Sequence, residues 1–360
     1  MPDAIWIDRQ DQLPALAQTL EAQEWLGVDT EFLRERTFFP KLCLLQLAGA
    51  GQIWCVDTLR VGSLEPLMAA LTAAHARKVI HAARQDLEAV YLCTQRVMSP
   101  VFDTQIAAGC IGLKPQVGYA ELVKTLLDVT VPKGQTRTDW SKRPLTPEQL
   151  VYAADDVLYL GEVAERLNVK LRELGREHWV AEDCAALEDR RLYEPDPAQA
   201  WVRLRGLAQL APDIRARARA IAVWREKLAR GRDLPRAWIL PDPAIFAVAE
   251  GAAPPLNDSL AASLKAALDA AAQDRSDQEP GQDARATPEQ KALILRLNKI
   301  VDARAEELQI SAEILAPRGE LKSLAMATGE PARARAHAES HALSGWRRQE
   351  IGIRLLEAMG

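Results

Sequence analysis

Four acids and a tyrosine, spread over three short blocks, are the residues whose types and spacing could do chemistry. They are Asp29 and Glu31 in "VDTEF", Asp86 in "HAARQDLE", and Tyr152 with Asp156 in "VYAADDVLYL". Asp29 and Glu31 are two apart in a run with strand character. Their side chains therefore leave one face, and Thr30 leaves the other. Tyr152 and Asp156 are four apart in a helical run and share a helix face. Asp86 falls at the start of a helix, where the N-terminal field favours a carboxylate by about 0.3–1 kcal/mol whatever its role. Each block alone reads better as ordinary structure: an exposed strand-end pair, an N-terminal acid, an amphipathic pair. Together they pose an electrostatic problem. Like charges about 4 Å apart repel by roughly 1 kcal/mol per pair in water-like surroundings and roughly 4 kcal/mol at an effective dielectric near 20. No basic residue inside the blocks is placed to neutralise them all. Hard divalent cations such as Mg2+ or Mn2+ are the usual resolution. Two such ions clamp the attacking and leaving oxygens of a phosphodiester. A tyrosine beside them orients water rather than acting as a base, since its ordinary pKa is about 10.

The elements around these blocks are those of an α/β fold. Strands are expected at Trp25 to Asp29, Leu42 to Ala48 and Gln52 to Val56, with "AGAGQ" turning the last two into a hairpin. A helix is expected from Leu64 to Ala74, a strand over "KVIHAA", a helix through "RQDLEAVYLCTQ", and a strand or strand end at "VFDT". Pro132, Gly134 and Pro144 mark a loop. Thr146 then caps a helix that begins at Pro147, has Glu148 in its first turn, and runs on through "EQLVYAADDVLYLGEVAERLNVKL". A hairpin followed by alternating strands and helices implies a mixed sheet flanked by helices.

Composition sets the outer bounds. The chain of 360 residues carries a net charge of −5, which neither advertises nor excludes nucleic-acid binding. The five cysteines are scattered and form no CxxC pair, so neither a zinc ribbon nor a disulfide framework is suggested. No signal peptide or membrane-length apolar run is visible, and a cytoplasmic location is expected. The organisation reads as 1–175 for the catalytic domain, 176–200 for a connector, 201–272 for a first helical domain, 273–288 for a flexible linker, and 289–360 for a second, diverged helical domain. The end signals of the two helical segments resemble each other, as in a tandem repeat.

In combination the three blocks resemble the exonuclease blocks of the DEDD superfamily, and Tyr152 four residues before Asp156 marks its DEDDy branch. "DTEFLRERTFFPKLCLLQLAG" and "RTDWSKRPLTPEQLVYAADDVLYL" are similar to the ribonuclease D family, whose pattern has tyrosines at Phe38 and Phe39. The helical segments resemble helicase-and-RNase-D C-terminal (HRDC) domains, of which that family carries two. The resemblance implies an RNase-H-like mixed sheet flanked by helices, followed by two all-α HRDC-like domains. It implies 3′-to-5′ hydrolysis of RNA to 5′-mononucleotides, notably the trimming of tRNA precursors, with two Mg2+ or Mn2+ ions held by Asp29, Glu31, Asp86 and Asp156. Asp29 would bridge both ions and Tyr152 would orient the attacking water. Rival readings are a DNA 3′-to-5′ exonuclease and a non-catalytic nucleic-acid-binding module on the same fold.

Several neighbours are weighed alongside. Phe38 and Phe39 would stack a terminal base, worth about 1–3 kcal/mol, or belong to a core. Arg34, Arg137 and Arg143 would touch phosphates, or be ordinary surface. Asp155 is a carboxylate the family pattern does not require, and it is expected to lie behind the ligands or face solvent rather than bind an ion. His81 is expected to be structural and Trp140 a packing anchor. Between Trp201 and Glu250 ten Arg and Lys stand against five Asp and Glu, which would give RNA a sequence-independent attraction.

Overall fold

The computed structural model describes residues 4–132, 134, 138–273 and 286–360. Its centre is a six-stranded mixed sheet. The strands are β1 (Ala4–Ile7), β2 (Trp25–Leu33), β3 (Lys41–Gly49), β4 (Gln52–Val56), β5 (Arg77–Ile80) and β6 (Val101–Asp103), in the spatial order β1-β4-β3-β2-β5-β6. β2, β3 and β4 run antiparallel as a meander, whereas β2, β5 and β6 run parallel. β1 was not foreseen: its four residues are too few to carry a pattern, and it joins the edge by pairing in parallel with β4.

Helices cover both faces. α1 (Leu13–Glu21), α2 (Met68–Leu71) and α3 (Arg84–Thr94) pack over Leu26, Val28, Leu45, Leu47 and Trp54. α4 (Thr104–Cys110), α5 (Tyr119–Leu127), α6 (Pro147–Leu158), α7 (Leu160–Leu174) and α8 (Glu177–Leu187) pack over Leu44, Ala48, Ile53, Cys55 and Phe102. Three expectations need correction. The helix over Leu64 to Ala74 is shorter, because Pro66 leaves a 3-10 turn before the four-residue α2. The strand at "KVIHAA" stops at Ile80, and Ala82 takes a left-handed φ of 57°. The long helix after Thr146 breaks at Tyr159. There the Tyr119 hydroxyl donates to the Asp155 carbonyl and accepts from the Tyr159 N–H, each at 3.2 Å. A side chain thus enters the place of one i to i+4 bond, and the helix kinks.

The chain forms two compact units. One comprises residues 34–40 and 194–287, and the other holds the sheet together with 288–360. In the first of these, α9 (Pro212–Arg232), α10 (Arg236–Ile239), α11 (Asp242–Ala249) and α12 (Asp258–Gln273) enclose Ile221, Ala222, Leu240, Ile245 and Leu264. In the sheet-bearing unit, α13 (Pro288–Leu308), α14 (Ala312–Leu315) and α15 (Arg318–Met326) are followed by shorter helices to Met359. Trp346 stacks on Trp179 of α8 with centroids 4.0 Å apart and planes 9° apart. Its indole donates to Asp183, which also holds Arg347 through bonds of 2.6 and 2.8 Å. Gly345 sits at φ 51°, and a Cβ there would lie 1.3 Å from a Glu182 carboxylate oxygen, so a larger residue would strain the backbone and displace Glu182.

The two helical segments match element by element. α9 and α13 each start at a proline and span 21 residues. Asp233 and Gln309 close them with φ of 49° and 53°. A four-residue helix, a proline (Pro241 or Pro317) and another helix follow in each. The Leu234 N–H donates to the Ala229 carbonyl as the Ile310 N–H donates to the Ala305 carbonyl. All these pairs share a single sequence offset. The linker expected over 273–288 lies mostly outside the described residues.

Candidate active site

The site forms where parallel strands end. β2 and β5 are neighbours, so the carboxyl end of β2 and the turn after β5 lie side by side. Such ends are where open α/β sheets bind ligands. Asp29 and Glu31 pair with Gln46 and Leu44 of β3, and a bulge follows between Glu31 and Phe32. Burial falls from Val28, fully enclosed, to half-buried Asp29 and Glu31.

α3 is aimed by Asp103. This buried carboxylate accepts from the N–H groups of Ala82 and Ala83 at 3.1 and 2.8 Å, which turns the chain out of β5. It also caps α4 by accepting from Gln105 and Ile106. Asp86 then lies in the first turn of α3, nearly enclosed, and accepts a 2.5 Å hydrogen bond from the Thr30 hydroxyl. Thr30 does leave the opposite face from Asp29 and Glu31, and there it meets Asp86.

α6 supplies the third wall. Thr146 accepts from the Gln149 N–H, and the Gln149 side chain returns to the Thr146 N–H, a complete capping box. Trp140 is a buried anchor whose ring lies 6.1 Å from that of Tyr152. Its loop is tied down by Arg143, which makes a two-bond pair with the fully buried Asp57 at 2.6 and 2.8 Å. The same guanidinium donates to the carbonyls of Trp140, Lys142 and Cys43. All five of its N–H donors are thereby committed.

The strand and the helix bring Asp29, Glu31 and Asp156 together, with one oxygen from each within 4.8 Å of the others. Asp86 is outside that trio, although its charge reaches Asp29. Burial first, then Asp86, Asp156 and Glu31, push the Asp29 carboxyl well above its ordinary range. Burial, Asp156 and Asp86 push Glu31 up to about 9. Burial lifts Asp156 to about 7, opposed by a hydrogen bond from Tyr152 and assisted by Asp155. Asp86 also rises to about 7 through burial, against the Thr30 bond. Groups this crowded hold protons unless a cation replaces them. An all-oxygen donor set of this kind fits a hard divalent ion. Beside it Gln46 is fully buried, and neither its amide nitrogen nor its amide oxygen has a hydrogen-bond partner.

Arg143 is a structural tie rather than a phosphate ligand, for the reason given above. Phe38 is buried in the core of the unit formed by 34–40 and 194–287, its ring 4.4 Å from the Arg236 guanidinium and 4.8 Å from Phe39. The N–H groups of Phe38 and Phe39 both donate to Asp233. A base-stacking role is therefore replaced by packing for Phe38. Arg34 is exposed in the same segment, and Arg137 lies outside the described residues. His81 is structural: its nitrogens meet Thr104 and the Val117 carbonyl at 2.9 and 3.0 Å, and burial lowers its pKa. Asp155 stands outside the trio, half-buried. Much of the basic bias from Trp201 to Glu250 is used internally. Arg225 pairs with Asp242, Arg236 with Glu226, and Arg219 lies 4.1 Å over Trp201. Thr30, Gln46 and Tyr119 were missed in the sequence. A glutamine interrupting the leucines of β3 was the one signal available.

The chain resembles known proteins over nearly its full length. A 3′-5′ exonuclease family model matches residues 4–172, and an HRDC domain model matches residues 215–263. Ribonuclease D of Gluconacetobacter diazotrophicus is 35% identical, over 98% of this chain and 91% of that protein. The Xanthomonas oryzae pv. oryzae ribonuclease D is 36% identical over 98% and 97%, and the Pseudomonas paraeruginosa one 32% identical over 99% and 98%. Among solved structures, Escherichia coli RNase D, described as an exoribonuclease involved in structured RNA processing, superposes with a TM-score of 0.88. It is 27% identical, and the match covers 99% of this chain and 98% of that one.

Proposed function

The chain belongs to the ribonuclease D family of 3′-5′ exoribonucleases, and from that premise we propose that it trims 3′ tails from structured RNAs, tRNA precursors first among them, releasing 5′-mononucleotides. The observation that carries the chemistry is the trio of Asp29, Glu31 and Asp156, with oxygens within 4.8 Å and no compensating charge in the group. Asp29, Glu31 and Asp156, with Asp86 beside them, would hold two Mg2+ or Mn2+ ions. Such ions supply an activated water at neutral pH and neutralise charge on the leaving 3′ oxygen.

The protein's own groups do the rest. Thr30 fixes Asp86 by its hydrogen bond. The Tyr152 hydroxyl, bonded to Asp156 and braced by Trp140, aims the attacking water at the terminal phosphodiester. Little side-chain acid–base chemistry is then needed. We assign the segment from Pro288 onward as a second, diverged HRDC domain. Its matching helix lengths, left-handed caps and prolines support this. RNA binding by the HRDC segments would draw on the basic residues not consumed inside them. The five cysteines are free thiols, which fits a cytoplasmic enzyme.

The test is turnover of an RNA oligomer by the purified full chain, with Mg2+ or with EDTA, beside a DNA oligomer of the same sequence. Asp29→Asn and Asp156→Asn should abolish turnover and leave RNA binding within a few-fold. Turnover retained in either variant, or unaffected by EDTA, overturns the ion-site reading. Faster turnover of the DNA overturns the substrate.

A further inference from the structure

We propose that Gln46 is a positioning residue of the ion site: its amide, which makes no hydrogen bond in this structure, turns to donate to Asp29 when the acids hold an ion and so sets the rotation of that carboxylate. The inference rests on the ion-site reading above and extends it to a residue outside the acidic trio.

Gln46 of β3 stands directly opposite Asp29 of β2. Residues so paired in an antiparallel ladder share a face, with Cβ atoms roughly 4.5–5.5 Å apart. α6, which carries Tyr152 and Asp156, packs on both strands and closes this face. Leu44 and Ala48, the residues two before and two after Gln46, belong to the apolar core there. An amide buried among them without a partner is destabilising, and a leucine would avoid that cost. Its immediate polar neighbour along the ladder is the carboxylate at the centre of the trio. Asp29 has two oxygens. One converges with Glu31 and Asp156. The other is the acceptor left for a donor on the facing strand, where Gln46 stands. A donor at that oxygen keeps the first one facing its neighbours, as outer hydrogen bonds do for carboxylate ligands generally.

The experiment titrates the full chain with Mn2+ by calorimetry in the absence of RNA, for the wild type, Gln46→Leu and Gln46→Met. Asp29→Asn serves as the control for heat not due to the site. Thermal melting in EDTA is recorded for each. Both Gln46 variants should bind Mn2+ about 10-fold or more weakly, while melting at or above the wild-type temperature in EDTA. Wild-type affinity in a folded variant overturns the proposal, because Gln46 is then only a core residue. A wild type with no Mn2+ heat beyond that of Asp29→Asn overturns the ion reading itself, and the variants need not be compared. Using two variants keeps the comparison available if one of them fails to fold.

Discussion

Glu31→Gln should make the ion-free protein more stable, while its activity is lost. Burial, Asp156 and Asp86 together move the Glu31 carboxyl from 4.5 to about 9. A pKa raised on folding contributes stability that is fully present below about 4.5 and is lost as pH rises toward 9. At pH 7 the chain has climbed about 2.5 pH units into that window, or roughly 3–4 kcal/mol at about 1.4 kcal/mol per unit. Glu31 is half-buried, so water recovers part of this, and about 1–3 kcal/mol remains. Glutamine keeps the shape and removes the ionisation. At about 2 °C per kcal/mol for a unit of this size, the variant should melt about 2–6 °C above the wild type in EDTA at pH 7. At pH 5 the gap should shrink below about 1 kcal/mol. Saturating Mg2+ should reverse the order, since a ligand at 100 times its Kd adds about 2.7 kcal/mol to the protein that binds it. Scanning calorimetry at both pH values, with EDTA and with Mg2+, reads all four points. A Glu31→Gln protein that melts below the wild type in EDTA, or a gap equal at pH 5 and pH 7, refutes the electrostatic reasoning.

Other perturbations follow from the same geometry. Tyr152→Phe removes the hydroxyl bonded to Asp156 but keeps the ring against Trp140, so kcat should fall about 10- to 100-fold with KM nearly unchanged in steady-state RNA hydrolysis. Arg143→Met leaves the enclosed Asp57 carboxylate unpaired and should cost about 3–5 kcal/mol in denaturant unfolding; a loss below about 1 kcal/mol would mean the pair is not structural. Trp346→Ala should raise amide exchange in the helices after Pro288 and in α8, while exchange in β3 stays slow.

The catalytic architecture was legible where a local rule decides the outcome. The two-residue period placed Asp29 with Glu31, and the Thr146 cap with Pro147 fixed the start of α6. Legibility failed where distant residues decide. Nothing near Tyr159 announces a helix break, because the hydroxyl that makes it belongs to Tyr119. Phe38 and Arg143 look like substrate contacts in a sequence of short motifs, yet Asp233 and Asp57 claim them across long stretches of chain. The charge of Asp86 reaches Asp29, but Thr30 as its partner depends on which helix covers the far face of β2.

The stacking of Trp346 on Trp179 also has a consequence for how the protein is made. The acids of the site are all synthesised by residue 156, and α8 is complete by residue 187. The indole that covers Trp179, and the arginine that neutralises Asp183, are made only after α9 to α15 have been synthesised. Between the completion of α8 and the synthesis of Trp346 the nascent protein therefore carries a full nuclease sheet with an open apolar flank, a state for which chaperones are suited. Deleting the segment from Pro288 would recreate that flank permanently. Loss of activity in such a truncation would then report aggregation of the core as much as loss of RNA contacts.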